Sequence, residues 1–150
     1  MRVVVLTLSL LGACSSGVDP VAEFPAAYLN TYTQTRGCRS SPDHDLNHVT
    51  VLVDPAALEP YMNRVSAFPV GAVVLKPEFD YSDPDCTGTP IEWTVMVKLA
   101  PGSSPDTLDW HWQRINGDRS VRTDDEPRCY GCHTGCTTST DGYDHTCSVP

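Results

Sequence analysis

Residues 129–133 read Cys-Tyr-Gly-Cys-His, and only 17 residues follow this motif in a chain of 150. A C-x-x-C-H sequence is the signature of covalent haem c attachment: two thiols add to the haem vinyl groups and the adjacent imidazole binds the iron. One turn of chain brings both sulfurs and the imidazole to the same porphyrin. We therefore predict haem c attached through Cys129 and Cys132, with His133 as the axial iron ligand.

Two other interpretations of these cysteines stay open. One is a purely disulfide-bonded cluster. The other is a zinc site, because Zn²⁺ takes thiolate and imidazole ligands. Its ligands would be Cys129, Cys132, Cys136 and either His145 or Cys147.

The position of the motif excludes a common layout of small electron-transfer cytochromes, in which the motif comes early and a methionine ligand late. Here Met62 and Met96 both precede His133. With no evident second strong ligand, we predict a five-coordinate or weakly ligated iron whose other face is open to a small molecule.

Length and composition limit the fold class. A chain of 150 residues corresponds to about one domain, and 13 prolines with 10 glycines indicate a turn-rich chain rather than a four-helix cytochrome. The formal charge of −9 argues against nucleic acid and against an anionic membrane surface as partners. We predict an α+β domain, mostly antiparallel β-sheet with two or three short helices and a C-terminal haem c attachment segment.

Periodicity places the elements. Apolar residues at helical spacing predict a helix over 20–36, and Asp54 with Pro55 predicts the capped start of a second helix that ends near Val65. Alternation predicts strands, of which the one at 91–99 is expected to be half-buried with its polar face in solvent. The predicted strands are 47–53, 72–76 (ended by Pro77), 91–99 and 109–115, the last followed by a hairpin turn at 116–118. Residues 103–106 and 124–126 are predicted to be solvated loops.

The N-terminus has the features of an export signal. One positive charge, an apolar run and small residues precede Cys14, and Leu-Gly-Ala-Cys at 11–14 is similar to a bacterial lipobox. We predict a signal peptide over 1–13, a lipidated tether over 14–19 with Cys14 acylated, and a haem domain over 20–150. The mature protein is then an envelope or periplasmic lipoprotein, held to the membrane by its lipid anchor alone.

Four of the seven cysteines remain after Cys14, Cys129 and Cys132 are assigned. Two disulfides are expected in an oxidising compartment, although four cysteines allow three pairings. We favour Cys136 with Cys147, which would staple the tail beneath the haem, and Cys38 with Cys86.

The order of these features resembles the cytochrome P-460 family over about residues 47–136. The residues that carry the resemblance are Val51 to Pro55, Phe68 to Lys76, Val95 to Lys98, Asp109 to Trp112 and the C-terminal motif. The resemblance implies a mostly antiparallel, dimeric protein with a pentacoordinate haem c. It also implies a haem cross-linked to a lysine, which on the matching residues is Lys76.

The family uses such a cross-linked haem to oxidise hydroxylamine toward nitrous oxide or nitric oxide, and relatives without the lysine bind nitric oxide and related gases. The retained Lys76 favours the oxidase branch. One departure is that Pro77 separates Lys76 from Glu78, where the family commonly has Lys-Glu. The plain alternative for Lys76 is an exposed lysine at a strand end.

Residues of the open haem face are harder to select from the sequence. Candidates for contacting a ligand or moving its protons are His111, Glu92, Met96 and Gln113 on the strands. A polar group around the start of the first predicted strand comprises His44, Asp45 and His48. It could reach the haem edge or propionates, and the alternative is a solvated loop. The three tryptophans, Trp93, Trp110 and Trp112, are expected to pack in the core or against haem.

Three functions follow. The first is an enzyme that oxidises hydroxylamine and passes electrons to a periplasmic acceptor. The second is a protein without the cross-link that binds nitric oxide or carbon monoxide. The third is a simple electron carrier.

Overall fold

Alternating apolar residues along consecutive segments build one antiparallel sheet whose strands follow chain order. The computed structural model describes residues 19–137, 142–148 and 150. The strands are Thr33–Ser40 (β1), His48–Val53 (β2), Val73–Phe79 (β3), Glu92–Lys98 (β4), Trp110–Asn116 (β5) and Val121–Asp124 (β6). The α-helices are Pro55–Asn63 (α1) and Pro127–His133 (α2), and short 3₁₀ helices lie at Tyr28–Asn30, Pro42–His44 and Pro105–Thr107. The α+β prediction is confirmed.

Each face of the sheet packs against a different part of the chain. On the first face, Val74, Met96 and Trp112 are in register across β3, β4 and β5 and pack with Ala57 and Tyr61 of α1. On the second face, the cluster of Phe24, Tyr28, Leu52, Val73, Leu75, Trp93, Val95 and Ile115 brings the N-terminal segment against the sheet. Because both faces are covered, the sheet is a central layer.

The prediction that β4 is half-buried is therefore wrong. The face of β4 that carries Glu92, Met96 and Lys98 is buried as well. Charged groups can be buried when they are paired, and here Glu92 is paired with Arg114 while Lys98 is paired with Asp144. Because the partners Arg114 and Asp144 lie elsewhere in the chain, the sequence of β4 alone does not predict that this face is buried.

The predicted helix over 20–36 is also wrong. The chain there forms a single 3₁₀ turn and then β1. Phe24 and Tyr28 have helical spacing, but they do not lie in an α-helix. Their rings, whose centroids are 5.4 Å apart, pack against the sheet beside Trp93. Tertiary packing thus decides the conformation of this segment.

The predictions around α1 are mostly confirmed. The Asp54 carboxylate accepts hydrogen bonds from the amides of Ala57 (2.8 Å) and Val73 (3.1 Å), so it caps α1 and ties it to β3. The helix ends before Arg64, which is left-handed at φ 57°. The prediction that Pro77 ends this strand is wrong, since β3 continues through Pro77 opposite Trp93. The register between β2 and β3 has no pair at Lys76 or Pro77, so the missing N–H of the proline falls where this ladder is interrupted.

Both favoured disulfides are present, Cys38–Cys86 and Cys136–Cys147. The first joins β1 to the β3–β4 connection. The second joins the residues after α2 to the C-terminal tail. The predicted lipidation site Cys14 and the predicted signal peptide lie outside the described residues. Within the described ranges, no helix is long and apolar enough to cross a membrane.

Candidate haem site

The first face of the sheet changes from apolar to polar along β3. Side chains alternate along a strand, so Lys76 and Glu78 lie on the same face as Val74. Lys76 is in register with Thr94, and Glu78 is in register with Glu92. Lys76 and Glu78 are nonetheless only 9% and 1% exposed, which places a lysine and a carboxylate inside the molecule.

Helix α2 brings the C-x-x-C-H motif over this polar region. Pro127 occupies its first turn, and the Glu126 side chain accepts a hydrogen bond from the amide of Arg128 (3.2 Å). The predicted solvated loop at 124–126 is exposed at Asp124 and Asp125, and it joins the end of β6 to the cap of α2. Cys129 and Cys132 form no disulfide with any described residue. Burial raises the pKa of the Cys129 thiol to about 11.

His133 is buried at the end of α2, with its ring edge-on to Trp112 and the ring centroids 4.8 Å apart. Burial lowers the pKa of His133 to about 3. The imidazole is therefore neutral. Its Nδ1 lies 2.5 Å from the carbonyl oxygen of His145, so Nδ1–H donates there and the lone pair is on Nε2. A neutral imidazole with this tautomer suits iron ligation.

Three adjoining cavities, of about 310, 50 and 20 Å³, surround these groups. His44 and His133 border all three. Cys129, Cys132 and Lys76 each border two of them. The Oγ1 atom of Thr94, which borders two cavities, is buried without a hydrogen-bond partner in the described part of the chain.

These residues fit a covalently attached haem. Two unpaired thiols lie three residues apart, a neutral imidazole follows them, and the space beside them contains a polar atom that lacks a partner. The zinc interpretation fits less well, because Cys136 and Cys147 are bonded to each other. In addition, no three His, Cys, Asp or Glu side chains of the described ranges are arranged to hold a metal ion.

Lys76 lies on the first face of the sheet and borders two cavities that the motif also borders. Burial lowers the pKa of its ammonium group, against the opposing charge of Glu78. The Nζ atom lies 3.5 Å from Nε2 of His44. The interpretation of Lys76 as an exposed strand-end lysine is wrong, because the strand continues to Phe79 and the Lys76 side chain is buried.

His44 is the last residue of the 3₁₀ helix Pro42–His44, and its side chain borders all three cavities. Its Nδ1 lies 2.8 Å from Oε1 of Glu78, whose Oε2 accepts a longer hydrogen bond (3.4 Å) from Asn47. The loop that carries His44 is tied to α2, since Arg128 donates to Asp45 (3.0 Å). Residues 43–45 are therefore held over the cavities.

The other sequence candidates separate into two groups. Asp45 and Met96 border the cavities, whereas His111, Gln113 and Glu92 contact other groups. His111 is bonded to Glu23 and Asp124, and Gln113 to the N-terminal segment and Asp124. Glu92 is paired with Arg114 and Arg122. In the described part of the chain, His48 does not border any of the three cavities.

Sequence reasoning missed Glu78, Thr94, Arg114 and Arg39, all of which border a cavity. A signal was available for Glu78, because it lies two residues beyond Lys76 and so on the same face. Arg39 and Arg114 carried no such local signal.

A family model, described as Cytochrome P460, matches residues 25–143. No curated protein matches the chain. The matched range includes Lys76, the C-x-x-C-H motif and every strand of the sheet.

Proposed function

Because the chain belongs to the cytochrome P460 family, whose cofactor is an iron haem, we propose that it oxidises hydroxylamine on a haem c centre. Cys129 and Cys132 hold the haem through thioethers, His133 binds the iron and Lys76 is cross-linked to the macrocycle. The haem supplies an iron that binds hydroxylamine and accepts its electrons.

The observation that carries this proposal is the buried amine of Lys76 in the same cavities as the motif. Its lowered pKa favours the neutral amine, and a neutral amine is the nucleophilic form of lysine. The cross-link replaces one N–H and one macrocycle C–H bond by a C–N bond, which releases two protons and two electrons. A peroxide accepts the two protons and the two electrons and is thereby reduced to two water molecules.

Hydroxylamine oxidation releases protons that the protein must accept. Two hydroxylamine molecules give nitrous oxide and water with four protons and four electrons, and one gives nitric oxide with three of each. We assign the proton acceptor to Nε2 of His44, because Nδ1–H donates to the buried carboxylate of Glu78 and orients the ring. A carboxylate in this position stabilises the imidazolium that forms.

Turnover of hydroxylamine with an artificial electron acceptor tests the proposal. The wild type should turn over, and Lys76→Ala should lose turnover while haem stays attached to the cysteines. Lys76→Arg keeps a long basic side chain in the site but cannot form the same cross-link, so it should also be inactive. Normal turnover in Lys76→Ala would remove the cross-link from the mechanism. Tight binding of nitric oxide or carbon monoxide by a wild type that does not turn over would favour the gas-binding function instead.

We also propose that the protein is exported and anchored by a lipid at Cys14. The two disulfides support an oxidising compartment. The expected partners are a small nitrogen compound, a periplasmic electron acceptor and a second copy of the chain. The charge of −9 argues against nucleic acid as a partner.

A further inference from the structure

The tail segment, defined as residues 142–148, supplies the hydrogen-bond acceptor of His133. The carbonyl of His145 accepts from Nδ1, and the amide of His145 donates to the carbonyl of Cys136 (2.6 Å). This tail approaches the residues after α2 very closely at Gly142, where a Cβ atom would lie 2.6 Å from the Cα of Cys136. A residue with a side chain could not pass there without a shift of the backbone.

The sheet holds this tail through Asp144. The Lys98 ammonium contacts the Asp144 carboxylate at 3.0 Å, and the Trp110 indole N–H donates to the Asp144 carbonyl at 3.0 Å. Lys98 and Trp110 are in register on β4 and β5, and the ammonium lies 4.7 Å from the indole ring centre. Because Lys98 is only 8% exposed, solvent screens this ion pair weakly.

A hydrogen bond from Nδ1–H to a fixed acceptor has two effects on an iron-bound histidine. It fixes the tautomer and ring orientation, and it makes the imidazole a stronger electron donor to the metal. A stronger donor stabilises ferric over ferrous iron and lowers the reduction potential.

We propose that Lys98 and Asp144 are positioning residues for the haem: by holding the tail, they fix the His145 carbonyl on His133 and keep the reduction potential low. This inference rests on the proposed ligation by His133, and it concerns the electronic state of the iron rather than the oxidation of any substrate. Nothing in the oxidase assignment requires it.

The experiment compares holoprotein variants at Lys98. Lys98→Met removes the ion pair but keeps an apolar side chain over Trp110, and Lys98→Arg keeps the ion pair. In Lys98→Met we expect the ferric-to-ferrous equilibrium to move toward ferrous by about tenfold, a rise of about 59 mV for one electron. The iron–histidine vibration of the reduced protein should fall in frequency, and tail peptides should exchange amide hydrogen faster. Lys98→Arg should restore all three values.

As a matched control, Tyr143→Phe removes only the tail's hydrogen bond to the Ser66 carbonyl (2.9 Å) and should change the potential less.

An unchanged potential in Lys98→Met would overturn the inference, whether the tail exchanges faster or not. His133→Ala separates this failure from failure of the proposed function. If His133→Ala leaves the spectrum unchanged, His133 is not the ligand and the proposed haem ligation is contradicted. If it alters the spectrum while Lys98→Met does not, only the positioning role is contradicted.

Discussion

Glu78 and Glu92 lie opposite each other on β3 and β4, on the same face of the sheet, and both are buried. Their partners differ. Glu78 is bonded to His44 in the haem site, whereas Glu92 is bonded to Arg114 and Arg122. Two similar carboxylates therefore have different roles, and the difference comes from residues that are distant in sequence.

The pair gives a prediction at the scale of single residues. Glu78→Gln should lower hydroxylamine turnover by about 100-fold, because general-base catalysis contributes about 10²–10⁴-fold and the glutamine cannot stabilise a charged His44. Glu92→Gln should keep turnover near that of the wild type. Steady-state kinetics on holoproteins with equal haem content measure both. Equal losses in the two variants would contradict the assignment of Glu78.

At the scale of elements, local patterns predicted what local physics determines. The alternation in β4 and β5 and the Asp-Pro start of α1 are determined by neighbouring residues, and these elements were predicted. The segment 20–36 was not, since the sheet imposes its conformation through Phe24 and Tyr28. The site shows the same limit. Lys76 and the C-x-x-C-H motif were predicted from the sequence. The role of Lys98 was not, because its partner Asp144 lies 46 residues later in the chain.

The two disulfides give a prediction for elements. Loop-closure entropy predicts that Cys38–Cys86, which spans 48 residues, contributes about 4 kcal/mol to the free energy of unfolding, against about 3 kcal/mol for Cys136–Cys147, which spans 11. Replacing both cysteines of each pair by serine should therefore destabilise the first variant more in urea. The haem potential should nonetheless move only in the second, because that bridge adjoins His133. A potential that moves in the first variant and not the second would contradict the account.

At the scale of the whole molecule, His111 joins the N-terminal segment to the sheet. Its Nδ1 lies 2.8 Å from Glu23 and its Nε2 lies 2.9 Å from Asp124. Burial alone would lower the pKa of His111, but the Glu23 hydrogen bond and the charges of Glu23, Asp124 and Asp125 outweigh it, so the pKa is raised above 6.5.

This shift predicts how stability depends on pH. A raised pKa means that the folded state binds the proton more tightly than the unfolded state. The contribution is complete below the unfolded pKa near 6.5 and is lost as pH rises through the folded value. Urea midpoints should therefore fall over that interval in the wild type, and His111→Gln should remove this part of the fall. An identical pH dependence in the variant would show that His111 does not contribute.

The central claim concerns the covalent centre that unites the sheet with α2. Lys76 and Lys98 are the two lysines of the chain, so peptide mass spectrometry of the matured holoprotein has an internal control. After digestion with a protease that does not cut at lysine, we expect haem to join the Cys129–Cys132 peptide to the peptide containing Lys76. The mass should be the sum of the parts less two hydrogens, and the Lys98 peptide should carry no haem. Haem on the cysteine peptide alone would contradict the claim.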